Sequence, residues 1–121
     1  MKKILVVDDA PSIRKLLNVV LSTEGYEVGQ AGNSDEAIEK IKTTVYDCGI
    51  FDVNMPGKTG IELTSIALGM ENGKNMKIVI LTTESSDSLK QKGKAAGAKA
   101  WLVKPFDDES LMNVIKTLIG D

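Results

Sequence analysis

The sequence contains no histidine, a single cysteine and no apolar run long enough to cross a membrane. The absence of histidine removes the commonest metal ligand and the commonest general base of proteins. Cys48 cannot form a disulfide within the chain, and its place in an apolar run is typical of a small core residue. The N-terminal apolar run, Ile4–Val7, ends at Asp8-Asp9 and is too short for a signal peptide. We therefore expect a cytoplasmic protein with no segment inserted in a membrane.

The chain also lacks an excess of positive charge. It carries 15 lysines and arginines against 17 acidic residues, which gives a formal net charge of −2. Binding to nucleic acid requires a basic excess or a basic stripe that neutralises phosphates, so this balance argues against a nucleic-acid partner. The sequence shows no linker, internal repeat or low-complexity segment, and 121 residues fit one domain of the usual size. We predict one domain over residues 1–121.

What the sequence does contain is a regular alternation of short apolar runs and amphipathic segments. Four runs are almost continuously apolar, as expected of strands covered on both faces of a parallel sheet. They are Ile4–Val7, Gly49–Phe51, Ile78–Leu81 and Ala100–Val103. A weaker fifth run, Tyr26–Ala31, includes polar residues and suits a sheet edge. A helical pattern follows each run, and it is poorest over Asp87–Ala96, where Gly93 interrupts it. This alternation predicts an open parallel sheet with helices on both faces.

Reactive side chains stand at the carboxyl ends of four predicted strands. They are Asp8-Asp9, Asp52, Thr82 and Lys104-Pro105. In open α/β sheets the binding site lies beyond these ends, at the point where the strand order reverses. Doubly wound sheets of five strands commonly have the order 2-1-3-4-5, which sets the first and third strands side by side. The three aspartates would then converge, with Thr82 and Lys104 on the same rim.

Three carboxylates in one small site repel one another strongly. A close pair costs on the order of 4 kcal/mol at an effective dielectric constant of about 20, so the cluster must hold an extra proton or recruit a cation. Oxygen ligands without histidine or thiolate suit Mg²⁺, which completes its shell with water and phosphate. A carboxylate can itself accept a phosphoryl group, whose charge Mg²⁺, Lys104 and Thr82 could stabilise. Each residue alone could be a helix cap or a turn, but their shared position at one sheet edge favours a site.

These residues, together with the segment Asp52-Val53-Asn54-Met55-Pro56-Gly57, Gly60 and Lys104-Pro105-Phe106, resemble the response-regulator receiver domain. The similarity spans essentially the whole chain, and single-domain chemotaxis response regulators are the type that it resembles most. The resemblance implies a flavodoxin-like α/β fold, doubly wound, with five parallel strands in the order 2-1-3-4-5 and five helices.

The resemblance also implies a role for each residue of the site. Asp52 would be the phosphoacceptor, Thr82 the switch hydroxyl and Lys104 the partner of the phosphoryl group, with the Lys104–Pro105 bond cis. The ligands of Mg²⁺ would be Asp8, Asp9, Asp52 and the backbone carbonyl of Asn54. Family receivers usually have Tyr or Phe as the switch aromatic, where this chain has Trp101. The alternative is a tryptophan that merely packs between a strand and a helix.

The function that follows is a phosphorylation-controlled switch rather than an enzyme. A histidine kinase would donate the phosphoryl group, and the modified protein, which we expect to be a monomer, would bind a downstream partner. Control of the flagellar motor in chemotaxis is the leading setting, and a phosphorelay shuttle is the alternative. Because the sequence ends directly after the last helical pattern, we expect output by binding. The partner would contact the fourth helix, fifth strand and fifth helix, a region made basic by Lys90, Lys92, Lys94 and Lys99.

Two other classes of protein remain as alternatives on this sheet. An FMN carrier needs a first loop rich in hydroxyls and amides, whereas Asp8-Asp9 would repel the flavin phosphate. A metal-dependent phosphatase with an aspartyl intermediate usually has a second acid two residues after the nucleophile, where this chain has Asn54. Asn54 and Glu84 stand at positions that vary among receivers. Their pairing resembles the chemotaxis type and predicts a short-lived aspartyl phosphate.

Overall fold

The computed structural model of the protein describes residues 1–120. Along the chain the elements are β1 (Lys3–Val7), α1 (Pro11–Thr23), β2 (Glu27–Ala31), α2 (Ser34–Thr43), β3 (Cys48–Phe51), α3 (Gly60–Leu68), β4 (Lys77–Thr82), α4 (Asp87–Ala96), β5 (Ala100–Val103) and α5 (Asp108–Ile119). Within these described residues the five strands form a parallel sheet in the order β2-β1-β3-β4-β5. The predicted doubly wound α/β fold with five helices is confirmed.

The three inner strands are buried on both faces, which explains why their sequences do not alternate. Successive residues point to opposite sides of the sheet, so each strand contributes to two cores. On one side Val7, Phe51 and Ile80 pack with residues of α2 and α3. On the other side Ile50 and Leu81 pack with residues of α1 and α5. The helices thus cover the inner strands fully, and the carboxyl ends of those strands form the open edge.

The strand order places β2 and β5 at the two edges of the sheet. The sequence predicted an edge position for β2, and this is confirmed. It predicted that β5 would be covered on both faces, and this was wrong: its first three residues are half-buried and Val103 is exposed. An edge strand has a neighbour on one side only, so the apolar run Ala100–Val103 leaves part of its surface in contact with solvent.

Caps fix where several helices begin. The Asn33 side chain accepts the Glu36 N–H at the start of α2, and Thr59 forms a reciprocal capping box with Glu62 at the start of α3. Asp107 caps α5, and its bonds from the Ser110 N–H and hydroxyl hold the pKa of that carboxyl below its usual value. Among the described helices, none has both the length and the apolar character needed to span a bilayer.

Candidate functional site

The two inner strands β1 and β3 bring their terminal aspartates together. These strands are paired in parallel with Val7 opposite Phe51, so Asp8 and Asp52 each follow the last paired residue. One carboxylate oxygen from each of Asp8, Asp9 and Asp52 lies within 4.8 Å of the others. Asp8 and Asp52 are 3% and 8% exposed, whereas Asp9 is exposed to solvent. The structure therefore places the predicted acidic cluster at the carboxyl edge of the sheet.

Asp8 is held by a bond at each of its polar atoms. Its N–H donates to the Ala31 carbonyl at 3.1 Å, and its own carbonyl accepts a bond from Arg14 Nη1 at 2.6 Å. Its carboxylate Oδ1 accepts the Ala10 N–H at 2.9 Å. The N-cap of α1 is Ala10, and no side chain caps that helix. The alternative explanation of Asp8-Asp9 as a helix cap is therefore wrong.

Lys104 supplies the cation that a cluster of carboxylates requires. Its ammonium donates to Asp8 Oδ2 at 2.6 Å and to Asp52 Oδ2 at 3.0 Å. Burial by itself lowers the pKa of Lys104, but the bonds to the two carboxylates outweigh that effect and hold the pKa above its usual value. The Lys104–Pro105 peptide bond is cis, as the resemblance predicted. The ammonium thus neutralises part of the charge that the two buried aspartates bring to the site.

The backbone around Asp52 is held closely by its neighbours. The Asp52 N–H donates to the Val7 carbonyl at 3.0 Å, and the second carboxylate oxygen, Oδ1, accepts the Asn54 N–H at 3.2 Å. Helix α3 begins at Gly60, where an added Cβ would lie only 2.0 Å from the Asp52 carbonyl oxygen. Only glycine lets the start of this helix approach so near. Asp52 therefore lies at a fixed strand end, with the start of α3 packed against its backbone.

The side chains of three other predicted site residues, Asn54, Thr82 and Trp101, bond to Glu84. The Thr82 hydroxyl accepts the Glu84 N–H at 3.4 Å, and the Asn54 side-chain amide donates to Glu84 Oε2 at 2.8 Å. Trp101 Nε1 donates to the Glu84 carbonyl at 2.9 Å. Over residues 1–120, the Thr82 hydroxyl has no bond to the aspartates or to Lys104. Glu84, in the β4–α4 segment, thus bonds to Asn54, whose own N–H bonds to Asp52.

Sequence reasoning missed two contacts of this site. It treated Glu84 only as a residue that affects phosphoryl lifetime, because the bond to Trp101 spans 17 residues and leaves no local pattern. It did not place Arg14 beside Asp8. Arg14 is the fourth residue of α1, one turn into the helix that follows the acidic pair, and that position was the available signal for a side chain that reaches back to the strand end.

The donor chemistry of the cluster fits Mg²⁺. Asp8, Asp9 and Asp52 offer carboxylate oxygens close enough to share one ion, with no nitrogen or sulfur ligand among them. Small hard cations prefer such oxygens and keep part of their water shell. The exposed position of Asp9 leaves one side of the cluster open to solvent and to an incoming group.

Comparisons with known proteins agree with this geometry. The family model of the response regulator receiver domain matches residues 4–116. The transcriptional regulatory protein ResD of Bacillus subtilis is 37% identical over 117 residues, which make up 97% of this chain and 48% of ResD. The chain thus spans about half the length of the curated relatives that it matches.

Two solved structures resemble the whole described fold. The chemotaxis protein CheY4 of Vibrio cholerae is 42% identical and superimposes with a TM-score of 0.93 over 98% of both chains. The response regulator TrrA of Thermotoga maritima, solved with Mg²⁺ and BeF, is 39% identical with a TM-score of 0.85 and covers 98% of this chain and 99% of its own. From the family match, these likenesses and the carboxylate cluster, the chain belongs to the response regulator receiver domain family of two-component signalling systems.

Proposed function

We propose that this protein is a phosphorylation-activated switch in which Asp52 accepts a phosphoryl group from a histidine kinase. The observation that carries this proposal is the setting of Asp52, a carboxylate with one oxygen 3.0 Å from the Lys104 ammonium and the other 3.2 Å from the Asn54 N–H. Asp8 and Asp9 adjoin it. These bonds fix the orientation of the carboxylate, and the Lys104 ammonium places a positive charge beside it.

In the proposed transfer, an Asp52 carboxylate oxygen forms a bond with phosphorus as the phosphorus–nitrogen bond of the phosphohistidine breaks. The electron pair of the broken bond stays on the imidazole of the donor. Asp8, Asp9, Asp52 and the backbone carbonyl of Asn54 would hold Mg²⁺. When bound, Mg²⁺ supplies positive charge that stabilises the phosphoryl oxygens.

Lys104 and Thr82 would then respond to the new group. The Lys104 ammonium bonds two carboxylates in the unmodified protein, and phosphorylation of Asp52 gives it anionic phosphoryl oxygens in the same place. The Thr82 hydroxyl holds Glu84 through a bond of 3.4 Å, which is long and therefore weak. A phosphoryl oxygen is a stronger partner for this hydroxyl, and turning towards it would free the Glu84 N–H, while the bonds from Trp101 and Asn54 keep the rest of Glu84 in place.

The output surface in this proposal is a groove between α4 and β5. The groove has a volume of about 550 Å³ and is lined by Lys90, Lys94 and residues 97–101, including the indole of Trp101. Lysines around an aromatic ring suit a partner segment with acidic and apolar side chains. The similarity to CheY4 supports a chemotaxis setting, and a phosphorelay shuttle is the alternative. We further propose that residues 1–121 act as one cytoplasmic, monomeric receiver domain.

Short phosphoryl lifetime is part of the proposal. The Asn54 amide bonds Glu84 Oε2 and leaves the other carboxylate oxygen of Glu84 able to accept a bond from water. The water oxygen would attack phosphorus as the phosphorus–oxygen bond to Asp52 breaks. Asp52 keeps the electron pair, and the two water protons leave on dihydrogen phosphate. The small Asn54 side chain leaves a path for this in-line attack.

Labelling with a phosphohistidine donor or with acetyl phosphate in Mg²⁺ tests the proposed acceptor. We expect about one phosphoryl group per wild-type chain and none on Asp52→Asn, because the amide is a poor nucleophile. Asp108→Asn changes an exposed aspartate of α5 and should label normally. Stoichiometric acyl-phosphate label on Asp52→Asn, or no label on the wild type with any donor, would refute the proposal.

A further inference from the structure

Helix α4 contains one glycine, Gly93, and the described part of that helix buries this residue alone. An added Cβ at Gly93 would lie 2.8 Å from Cζ3 and 3.0 Å from Cε3 of the Trp101 ring. Real Cβ atoms scarcely ever come so near to other heavy atoms, so an alanine here would displace the indole. Sequence reasoning treated Gly93 only as a weak point of the helix. The structure gives it a specific purpose, which is to leave the space that the six-membered ring of Trp101 occupies.

The position of the indole in turn fixes Glu84. Trp101 Nε1 donates to the Glu84 backbone carbonyl at 2.9 Å. The Glu84 carboxylate accepts a bond from the Asn54 amide at 2.8 Å. The remaining backbone bond of Glu84, from its N–H to Thr82, is 3.4 Å long. The indole therefore provides the shorter of the two bonds that hold the Glu84 backbone. If the ring moves, the carboxylate beside Asn54 loses its support.

We propose that Gly93 and Trp101 are positioning residues for hydrolysis of the aspartyl phosphate and act through Glu84. This inference rests on the proposed function, since it concerns the loss of phosphate from Asp52. By leaving room for the indole, Gly93 keeps the Glu84 carbonyl in place, and the carboxylate then stays bonded to the Asn54 amide. There it can accept a bond from the water that attacks phosphorus while the phosphorus–oxygen bond to Asp52 breaks.

A double-mutant cycle separates this positioning from a general effect on folding. The variants are Gly93→Ala, Trp101→Phe and the pair together, with Gln91→Ala as a control at an exposed position of the same helix. Each is loaded with phosphate, freed of donor, and followed for release of inorganic phosphate. We expect Gly93→Ala and Trp101→Phe each to slow hydrolysis by roughly fivefold, well below the effect of losing a direct acid–base group. Phenylalanine is smaller and lacks the N–H donor, so Gly93→Ala should cause no further slowing in the Trp101→Phe background.

Fluorescence of the single tryptophan tests the packing step without phosphate. In Gly93→Ala the emission should shift to the red and acrylamide should quench it more, because the indole leaves its site. Beryllofluoride should still bind every variant, since the residues that would contact the phosphoryl group are untouched.

Several results would overturn the inference. Unchanged hydrolysis in folded Gly93→Ala, an equal effect of Gly93→Ala with tryptophan or phenylalanine at position 101, or unchanged emission would each do so. If Gly93→Ala does not fold, wild-type hydrolysis in Trp101→Phe alone would suffice. Failure of every chain to load phosphate would instead refute the proposed function, and this inference with it.

Discussion

The two sides of the site are built in contrasting ways. On the β1–β3 side, Asp8 and Asp52 follow buried strands, and bonds to neighbouring backbone fix both residues. On the β4–α4–β5 side, α4 buries only a glycine and β5 is a half-exposed edge strand. A densely packed region opens rarely, whereas a region with few buried contacts can rearrange at small cost. The contrast suits the proposed function, in which the phosphoacceptor lies on the rigid side and the signal passes through the loose side.

The size of a conformational free-energy difference explains why a loosely packed side suits a switch. A ligand shifts an equilibrium between two conformations only by the difference in its affinity for them. Because α4 and β5 bury few residues fully, we expect only a small free-energy gap between two arrangements of that side. In the proposed switch, a single phosphoryl group that draws Thr82 away from Glu84 would then suffice to move that side. The rigid side would have to stay in place during this change, since it carries the proposed ligands of Mg²⁺.

The largest expected effect removes the cation that links the two sides: Lys104 follows β5 on the loose side and bonds Asp8 and Asp52 on the rigid side. Lys104→Met leaves Asp8 and Asp52 buried without their partner, and we expect the free energy of unfolding to fall by about 2 kcal/mol in EDTA. The pKa of Lys104 is raised, so its contribution is complete at neutral pH and is lost only as pH rises through that pKa. Mg²⁺ should restore most of the stability, because it replaces the missing charge.

Amide exchange then separates folding from signalling in the same variant. In Mg²⁺ and beryllofluoride, Lys104→Met should show none of the wild-type change in α4, even though it is folded. A variant that takes up phosphate and switches like the wild type would show that Lys104 has no part in the signal.

A smaller effect concerns the exposed ligand on the rigid side. Asp9→Ala removes one of three carboxylates from the cluster, and we expect Mg²⁺ to bind about tenfold more weakly, a loss of roughly 1.4 kcal/mol. Calorimetry measures this affinity directly. Asp108→Ala removes an equal charge from the exposed first turn of α5 and should leave the affinity unchanged. Equal affinities in Asp9→Ala and the wild type would contradict the assignment of the metal site.

A change at the boundary between the two sides should alter phosphoryl lifetime alone. Asn54→Met breaks the bond to Glu84 and covers the path of the attacking water, so we expect hydrolysis to slow by about tenfold. Asn113→Met makes the same substitution on the exposed face of α5 and serves as the control. Release of inorganic phosphate gives both rates. A hydrolysis rate in Asn54→Met equal to that of the wild type would rule out this route of hydrolysis. So would a wild-type aspartyl phosphate that is stable for many hours.

The smallest effect is expected at Cys48, deep in the core of the rigid side. Burial raises the pKa of this thiol to about 12, with a smaller contribution from Asp47. The folded chain therefore keeps a proton that the unfolded chain loses from about pH 9 upward, and this part of the stability declines as pH rises towards 12. At neutral pH a thiol reagent should react no faster than the protein unfolds, and Cys48→Ala should label normally with phosphate. Rapid modification of the native protein would show that this core opens locally.

Sequence alone predicted most of the fold because the signal is local. Continuous apolar runs mark strands covered on both faces, and the residues that end them mark the edge where a site forms. It failed at β5, because an apolar run such as Ala100–Val103 does not reveal how many neighbours the strand has. Exposure there depends on the order of strands in space, which no single segment records.

The candidate site divides in the same way. The acidic pair and Lys104 were found because each stands directly after a strand. The bonds that meet at Glu84 were not predicted, because one of them comes from the Trp101 indole on another strand. Gly93 was misjudged for a similar reason: helix propensity assigns a glycine a cost of about 1 kcal/mol and says nothing of the ring packed against it.

Amide hydrogen exchange with and without beryllofluoride in Mg²⁺ tests the contrast between the two sides most directly. The account predicts altered exchange over residues 82–86, α4 and the segment around Trp101, with β1 and β3 unchanged. Trp101 fluorescence should change in the same titration, and Asp52→Asn should show neither response. Exchange that changes equally across the sheet, or that leaves the β4–α4 segment and Trp101 unaffected, would contradict the division of the molecule into a rigid chemical side and a loose signalling side.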